Sequence, residues 1–170
     1  NKELLRQWQE IHGEDSDFFR VRVRGEFPRA SASNFIGIQM VEDAMNRMAE
    51  DASDEGPRIM GVDIARSGSN FNVAVLRQGR QLKEIRRWQA PDTSLTVQRI
   101  VELEAELRPD AIIIDGAGIG GPVVDRLRDE RNLKVIDVNG GTMADNKEHY
   151  ANKKSEMWAL MKEWLVHAKL

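Results

Sequence analysis

Residues 58–89 read RIMGVDIARSGSNFNVAVLRQGRQLKEIRRWQ, and this stretch decides the fold. Three runs, 58–65, 71–77 and 82–89, are rich in branched apolar residues and bounded by Gly, Ser, Asn and Gln. The connectors RSGSN and QGRQ are too short for a crossover, so they predict an antiparallel three-strand meander. Downstream, Val97, Ile100, Val101 and Leu107 recur at helical spacing over 94–107, and Pro109 stops that helix. Ala111–Asp115 reads as a short apolar strand ending on an acid. The glycine-rich turn Gly116–Gly121, a helix near 122–131, a strand over 133–138 and a polar loop over 139–149 follow. Asn152 is the expected N-cap of a last helix, with Met157, Met161, Trp164, Leu165 and Ala168 as its apolar stripe. The order β-β-β-α-β-α-β-α predicts an α/β fold. An antiparallel meander plus two parallel strands would make one mixed sheet with helices on both faces.

Upstream, 1–12 is amphipathic through Leu4, Leu5, Trp8 and Ile11, with Gly13 as a stop. FFRVRVR at 18–24 alternates apolar and basic residues and predicts a strand. A helix is expected over 38–50. The polar stretch DASDEGP at 51–57 divides an N-terminal arm (1–56; helix, strand, helix) packing on the core from a main domain (57–170).

Composition narrows the function. The chain has 170 residues, 41% hydrophobic and 31% charged, a globular balance. No apolar run approaches the roughly 18 residues of a membrane span, so no membrane partner is expected. There is no cysteine, which excludes disulfides, thiolate metal sites and a cysteine nucleophile. The net charge of −3 excludes a uniformly basic nucleic-acid binder. Contact with a polyanion would use local clusters (Arg20, Arg22 and Arg24; Arg86 and Arg87; Lys153 and Lys154) or bound metal ions. His12, His149 and His167 show no metal-ligand spacing, and the four Trp and seven Met sit mostly at packing positions. Asn at position 1 and the end on Lys169-Leu170 inside a helical pattern suggest a piece of a longer chain, monomeric in isolation.

Two acids stand out. Asp63 interrupts an apolar run, where an unpaired charge is costly. Asp115 ends the apolar run AIII, at the strand mouth where open α/β sheets bind ligands. If the first and fourth strands are parallel neighbours, the two carboxylates lie side by side. Such a pair suits one or two Mg²⁺ ions, about 3.5–4 Å apart when paired, for in-line phosphodiester cleavage. The bland reading makes both acids strand-end turn formers.

Gly116-Ala117-Gly118-Ile119-Gly120-Gly121 also matches G-x-G-x-x-G, with Asp137 where a ribose-binding acid would sit. Against dinucleotide binding, a meander precedes the motif, Asp115 adjoins it, and too little chain follows for a second half. The alternative is a tight turn that lets a helix approach the sheet. Gly61-Val62-Asp63-Ile64-Ala65 with Gly68 resembles a phosphate loop of actin-like ATPases, which need two such domains and far more chain.

Four ordered blocks carry a fuller resemblance: SDFFRVRVRGEFP, GVDIARSGSNFNVAVLRQG, IIIDGAGIGGPVVDRL and HYANKKSEMWALMKEWL. Together they resemble the nuclease domain of the large terminase subunit of tailed bacteriophages, over residues 14–168. The resemblance implies an RNase H-like fold and an endonuclease using two Mg²⁺ or Mn²⁺ ions. It would cut concatemeric double-stranded viral DNA during genome packaging in the host cytoplasm. Asp63 and Asp115 would be catalytic, metal-holding acids, with Asn152 and Glu156 of the Asn-x-[RK]-x-E-M-W block packing nearby. Asn70 stands where the family often has another acid, and could orient metal-bound water. Arg66, Lys153 and Lys154 would contact DNA. The family's third acid lies beyond Leu170, with Asp137, Asp145 and Glu148 as available substitutes. The full-length partners implied are the portal protein and the small terminase subunit. No G-x-x-x-x-G-K-[ST] motif is present, so the ATPase of the full-length protein is absent here. The alternatives are a non-catalytic DNA-binding or docking module of the motor, and a RuvC-type Holliday-junction resolvase.

Overall fold

A computed structural model describes residues 2–14, 16, 19–25, 34–65 and 70–170. The chain divides into two compact units, Asn1–Met45 and Asn46–Leu170.

In the smaller unit, α1 (Lys2–His12) ends before Gly13, which adopts a left-handed φ of 79°. The strand expected over 18–24 does not form over 19–24, residue 18 lying outside the described residues. Arg20–Arg24 is a single stretch of π-helix closed by Gly25 at φ 67°, whose N–H returns to the Arg20 carbonyl. Its backbone bonds are local, and the Arg24 guanidinium sits over the Phe19 ring at 5.8 Å from the centroid. Period-2 alternation makes a strand only where a neighbouring strand takes up the backbone bonds. Arg24 also pairs with Glu14 at 3.1 Å. Helix α2 (Ile38–Asn46) is shorter than expected and is followed by a 3₁₀ turn, Ala49–Asp51.

The larger unit is built on a five-stranded sheet. Its strands are β1 (Arg58–Asp63), β2 (Asn72–Gln78), β3 (Gln81–Trp88), β4 (Ala111–Ile114) and β5 (Val135–Asp137). They lie in the order β3-β2-β1-β4-β5. The meander is antiparallel, and β1–β4 and β4–β5 are parallel. This is the expected mixed sheet.

Alternation along the strands sorts the side chains. Met60 and Val62 of β1, Ala74 and Leu76 of β2, and Ile112 and Ile114 of β4 are buried. They share a core with Val97, Ile100 and Leu103 of α3 (Thr93–Leu107) and with Val123, Val124 and Leu127 of α4 (Gly120–Asp129). Ile59, Gly61, Val73, Val75 and Ile113, on the alternate positions, are only partly buried. Asp92 caps α3 by accepting from Ser94 and Leu95 N–H, and Arg108 ends it in a left-handed conformation.

The turn after α3 sets the β1–β4 register. Arg58 N–H donates to Asp110 Oδ2 and Asp110 N–H to the Arg58 carbonyl, both at 2.8 Å, while the Arg58 guanidinium donates to the Leu107 carbonyl at 2.8 Å.

The last helix, α5 (Lys153–Leu165), departs from its expected stripe. Met157 and Met161 are exposed, whereas Leu165 and Ala168 are buried. The C-terminal end of the helix is tied to the β2–β3 hairpin. Trp164 Nε1 donates to the Gly79 carbonyl at 2.9 Å, and Arg80 donates to the Trp164 carbonyl at 3.1 Å. The 47–55 segment meets the same hairpin. Arg80 N–H donates to the Ser53 carbonyl at 2.6 Å, and the Gln81 amide to the Ala49 and Ala52 carbonyls. These bonds keep 47–55 with the sheet, so the division between units falls upstream of the polar stretch 51–57.

Gly79 is the tightest point of this junction. Its φ is 53°, and a Cβ there would lie 2.6 Å from both the Glu55 and Ser53 carbonyl oxygens. Gly79→Ala is expected to destabilise the larger unit by about 1–3 kcal/mol. Urea unfolding should show a lower midpoint at unchanged slope.

Candidate metal centre

Asp63 and Asp115 are brought together by strand pairing. Val62 is in register with Ile114 across the parallel β1–β4 pair, and each acid is the next residue. By alternation both leave the sheet on the side opposite Val62 and Ile114, away from α3 and α4. Asp63 is the last residue of β1 rather than the interior one that its apolar neighbours predict, and both carboxylates are exposed. No desolvation cost therefore demands a counter-ion, and what singles the pair out is their shared position.

A residue that sequence reasoning missed shapes the exit from β1. Asn72 is 2% exposed. Its Oδ1 accepts from Ala65 N–H at 3.0 Å, and its Nδ2 donates to the Trp88 carbonyl at 3.4 Å. It thus ties Ala65, two residues beyond Asp63, to β2 and β3. A polar residue at an inward strand position, where the pattern calls for an apolar one, was the available signal.

The glycine run after β4 is a turn packed against its own chain. Gly116 N–H donates to Asp137 Oδ1 and Ala117 N–H to Asp115 Oδ1, both at 2.9 Å. A Cβ on Gly116 would lie 2.1 Å from Asp137 Oδ1, and one on Gly120 would lie 1.9 Å from the Asp115 carbonyl oxygen. Gly118 needs its φ of 66°. These glycines admit neighbouring protein atoms, which supports the tight-turn reading over the dinucleotide one.

The Asn-x-x-x-Glu block has a structural job. Asn152 caps α5 by accepting from Ser155 N–H at 2.9 Å, and Ser155 Oγ accepts from Asn152 N–H at 3.2 Å, a reciprocal capping box. Lys153 and Lys154 N–H groups donate to the Thr142 and Gly140 carbonyls at 2.8 and 2.9 Å. Glu156 is buried, and its two oxygens accept from Asp145 N–H at 3.1 Å and Asn146 N–H at 2.9 Å. Lys153 Nζ bridges Asp145 at 2.7 Å and Glu156 at 2.8 Å. The ammonium and the two backbone N–H groups hold the Glu156 carboxyl down at about 2. The same ion pairs, that with Asp145 first, raise the Lys153 pKa.

The remaining candidates separate. Lys153 is engaged in this clip, Lys154 and Asn70 are exposed, and Arg66 lies outside the described residues, as does Gly68. Arg86 is paired with Glu84 and Glu106, and Arg87 stacks over Phe71 at 4.1 Å from the ring centre. Among the described residues, no three of His, Asp and Glu converge as a metal-holding group. Of the substitutes for a third acid, Asp137 and Asp145 are hydrogen-bonded to Gly116 N–H and to Lys153, and Glu148 is exposed on the loop before α5.

The sheet order, with acids at the adjoining mouths of β1 and β4, defines an RNase H-like fold. No protein-family model matches the chain. A curated relative, "Probable terminase, large subunit" of Enterobacteria phage P7, is 25% identical over 150 residues, which cover 82% of this chain and 30% of the relative. Among solved structures, the nuclease domain of the large terminase subunit of bacterial virus Sf6 aligns with a TM-score of 0.65 at 17% identity, over 76% of this chain and 63% of that one. A mutant of that domain with manganese and beta-thujaplicinol gives 0.60 at 18%, over 78% and 67%. The large terminase nuclease of thermophilic phage G20c with bound magnesium gives 0.53 at 13%, over 68% and 57%. The fold is that of terminase large-subunit nuclease domains, and the resemblance read from the four sequence blocks is borne out. The chain spans under a third of the length of the curated relative.

The Asn72 and Glu156 clips can be tested one at a time. Asn72→Ala leaves Ala65 N–H without its acceptor and is expected to cost about 1–3 kcal/mol in thermal or urea unfolding. The Glu156 carboxyl lies at about 2 in the fold against an ordinary 4.5. Its stabilisation is therefore complete above the ordinary value and lost as pH falls towards the folded one. Glu156→Gln should unfold at lower temperature than the parent at neutral pH, and the gap in melting temperature should narrow between about pH 4.5 and about pH 2.

Proposed function

We propose that this chain is the nuclease portion of a terminase large subunit, a divalent-cation-dependent endonuclease that cuts concatemeric double-stranded viral DNA during genome packaging. The observation that carries the reading is the parallel β1–β4 register, which puts Asp63 and Asp115 at the adjoining C-terminal ends of two interior strands. The relatives support it, since Sf6 and G20c nuclease domains with this fold have been solved with manganese and magnesium.

The two exposed carboxylates fit Mg²⁺ or Mn²⁺, because hard divalent ions take oxygen ligands. Asp63 and Asp115 would hold two such ions, with a third acid supplied from sequence beyond Leu170. When bound, the ions supply Lewis-acid polarisation of the phosphodiester and lower the pKa of water. The protein's own part is orientation. Asn72 holds Ala65 just beyond Asp63, and the glycine turn holds Asp115. Lys154, exposed on the first turn of α5, and Arg66 are the proposed phosphate contacts. Asn70 is the proposed orienter of water. Lys153 supports the site through its clip with Glu156. The full-length protein would add an ATPase and engage the portal protein and the small terminase subunit in the host cytoplasm. Among the described residues, no helix is long and apolar enough to cross a membrane.

Supercoiled plasmid incubated with Mn²⁺ tests the reading, using this chain, a version extended past Leu170, and Asp63→Ala in each. The extended chain should relax and linearise plasmid. Asp63→Ala should lower the rate more than the roughly 10- to 100-fold typical of outer-shell positions. No cutting by the extended chain would leave a docking module instead. Preference for four-way junctions over linear duplex would identify a resolvase.

A further inference from the structure

Asp137 is the third strand-end acid of the parallel half of the sheet. It pairs in register with Ile114, on the edge strand beside Asp115. We propose that Asp137 is a positioning residue that fixes the Asp115 turn through Gly116 N–H, and not a metal ligand. This inference rests on the nuclease reading of Asp63 and Asp115.

Strand geometry separates the three acids. Residues in register on neighbouring strands project from the same face, and successive residues from opposite faces. Asp137 shares the face of Ile114, on the side of α3 and α4. Asp115 follows Ile114, and Asp63 follows Val62, so both take the other face. Asp137 thus approaches the turn from the side opposite the Asp63–Asp115 pair.

What it meets there is backbone. Its Oδ1 accepts from Gly116 N–H at 2.9 Å. The carboxylate lies so close to the Gly116 α-carbon that a Cβ would sit 2.1 Å from Oδ1, 2.4 Å from Cγ and 2.6 Å from Oδ2. The next N–H of the turn, that of Ala117, is taken by Asp115 Oδ1 at 2.9 Å. Consecutive amides are therefore held from two neighbouring strands: Asp137 grips the turn from β5, and Asp115 closes it from the end of β4. Between them they set the direction in which the Asp115 side chain leaves the sheet.

The two roles need different chemistry. Positioning needs an acceptor oxygen, which an asparagine carbonyl also supplies. Ligation needs the negative charge. Asp137→Ala and Asp137→Asn, made in the chain extended past Leu170, separate them. Three readouts are taken: hydrogen exchange of the Gly116 amide, Mn²⁺ affinity by calorimetry, and plasmid cutting. Asp137→Ala should lose Gly116 protection and cut about 10- to 100-fold more slowly. Asp137→Asn should keep that protection, bind Mn²⁺ like the parent and restore most of the cutting. Mn²⁺ binding weakened in both variants, with Gly116 still protected in Asp137→Asn, would overturn the proposal in favour of a ligand. Unchanged Gly116 protection in Asp137→Ala would also overturn it. If the parent itself does not cut, the nuclease reading fails separately. Gly116 exchange and Mn²⁺ affinity still decide the role of Asp137.

Discussion

The parallel pairing of β1 with β4 is the constraint on which the rest of the molecule depends. It joins an antiparallel meander to an α/β half, and it requires strands far apart in sequence to find a particular register. A slip of one residue would turn every side chain of one strand to the other face. Met60 and Val62, or Ile112 and Ile114, would leave the core, and Asp63 and Asp115 would part. The register is guarded at the opposite end from the acids. Arg58 and Asp110 exchange backbone and carboxylate hydrogen bonds, and the Arg58 guanidinium takes the Leu107 carbonyl at the end of α3. A structural staple at one end of the paired strands therefore sets the spacing of the acids at the other.

Side-chain oxygens satisfy backbone N–H groups where the chain leaves or enters its regular elements. Chain leaving a strand has donors that the ladder no longer pairs, and burying them unpaired is costly. Here side-chain oxygens take them up. Asn72 holds Ala65 beyond β1, Asp115 and Asp137 hold the turn beyond β4, and Glu156 holds Asp145 and Asn146 before α5. At each of these places a side-chain oxygen pairs backbone N–H groups that the ladders and helices leave free.

The legible parts of this fold were those set by local pattern. The meander could be read from short connectors between alternating runs, and the four-residue strand AIII from its uninterrupted apolar character. Asp63 and Asp115 were legible as an unusual pair, and their adjacency followed once the parallel pairing was supposed. Burial was not legible. Asp63 looked interior because Ile64 and Ala65 continue the apolar run, yet the chain leaves the sheet there, drawn off by the side chain of a residue in the next strand. FFRVRVR has the period of a strand, but Arg20–Arg24 becomes a π-helical stretch, because alternation describes a surface and not a partner. The stripe on the last helix holds at Leu165 and Ala168 and fails at Met157 and Met161 for a related reason. That helix is anchored at its two ends, by Glu156 and by Trp164 with Leu165, so its middle turns need no buried face.

The acids show most directly what sequence cannot sort. Asp63, Asp115, Asp137 and Glu156 all border a strand end or a helix start and carry the same charge. Their remaining acceptor capacity separates them. Glu156 commits both oxygens to backbone N–H groups and an ammonium, which keeps it ionised down to about pH 2 and leaves it poorly suited to a cation. Asp137 commits one oxygen to Gly116 and lies on the core side of the sheet. Asp115 commits one to its own turn and takes the other side, and Asp63 accepts no hydrogen bond at its carboxylate among the described residues. A divalent ion competes best where oxygens are exposed, charged and not already committed. That criterion ranks Asp63 first and Asp115 second, on availability rather than on the cost of burial that the apolar run around Asp63 suggested.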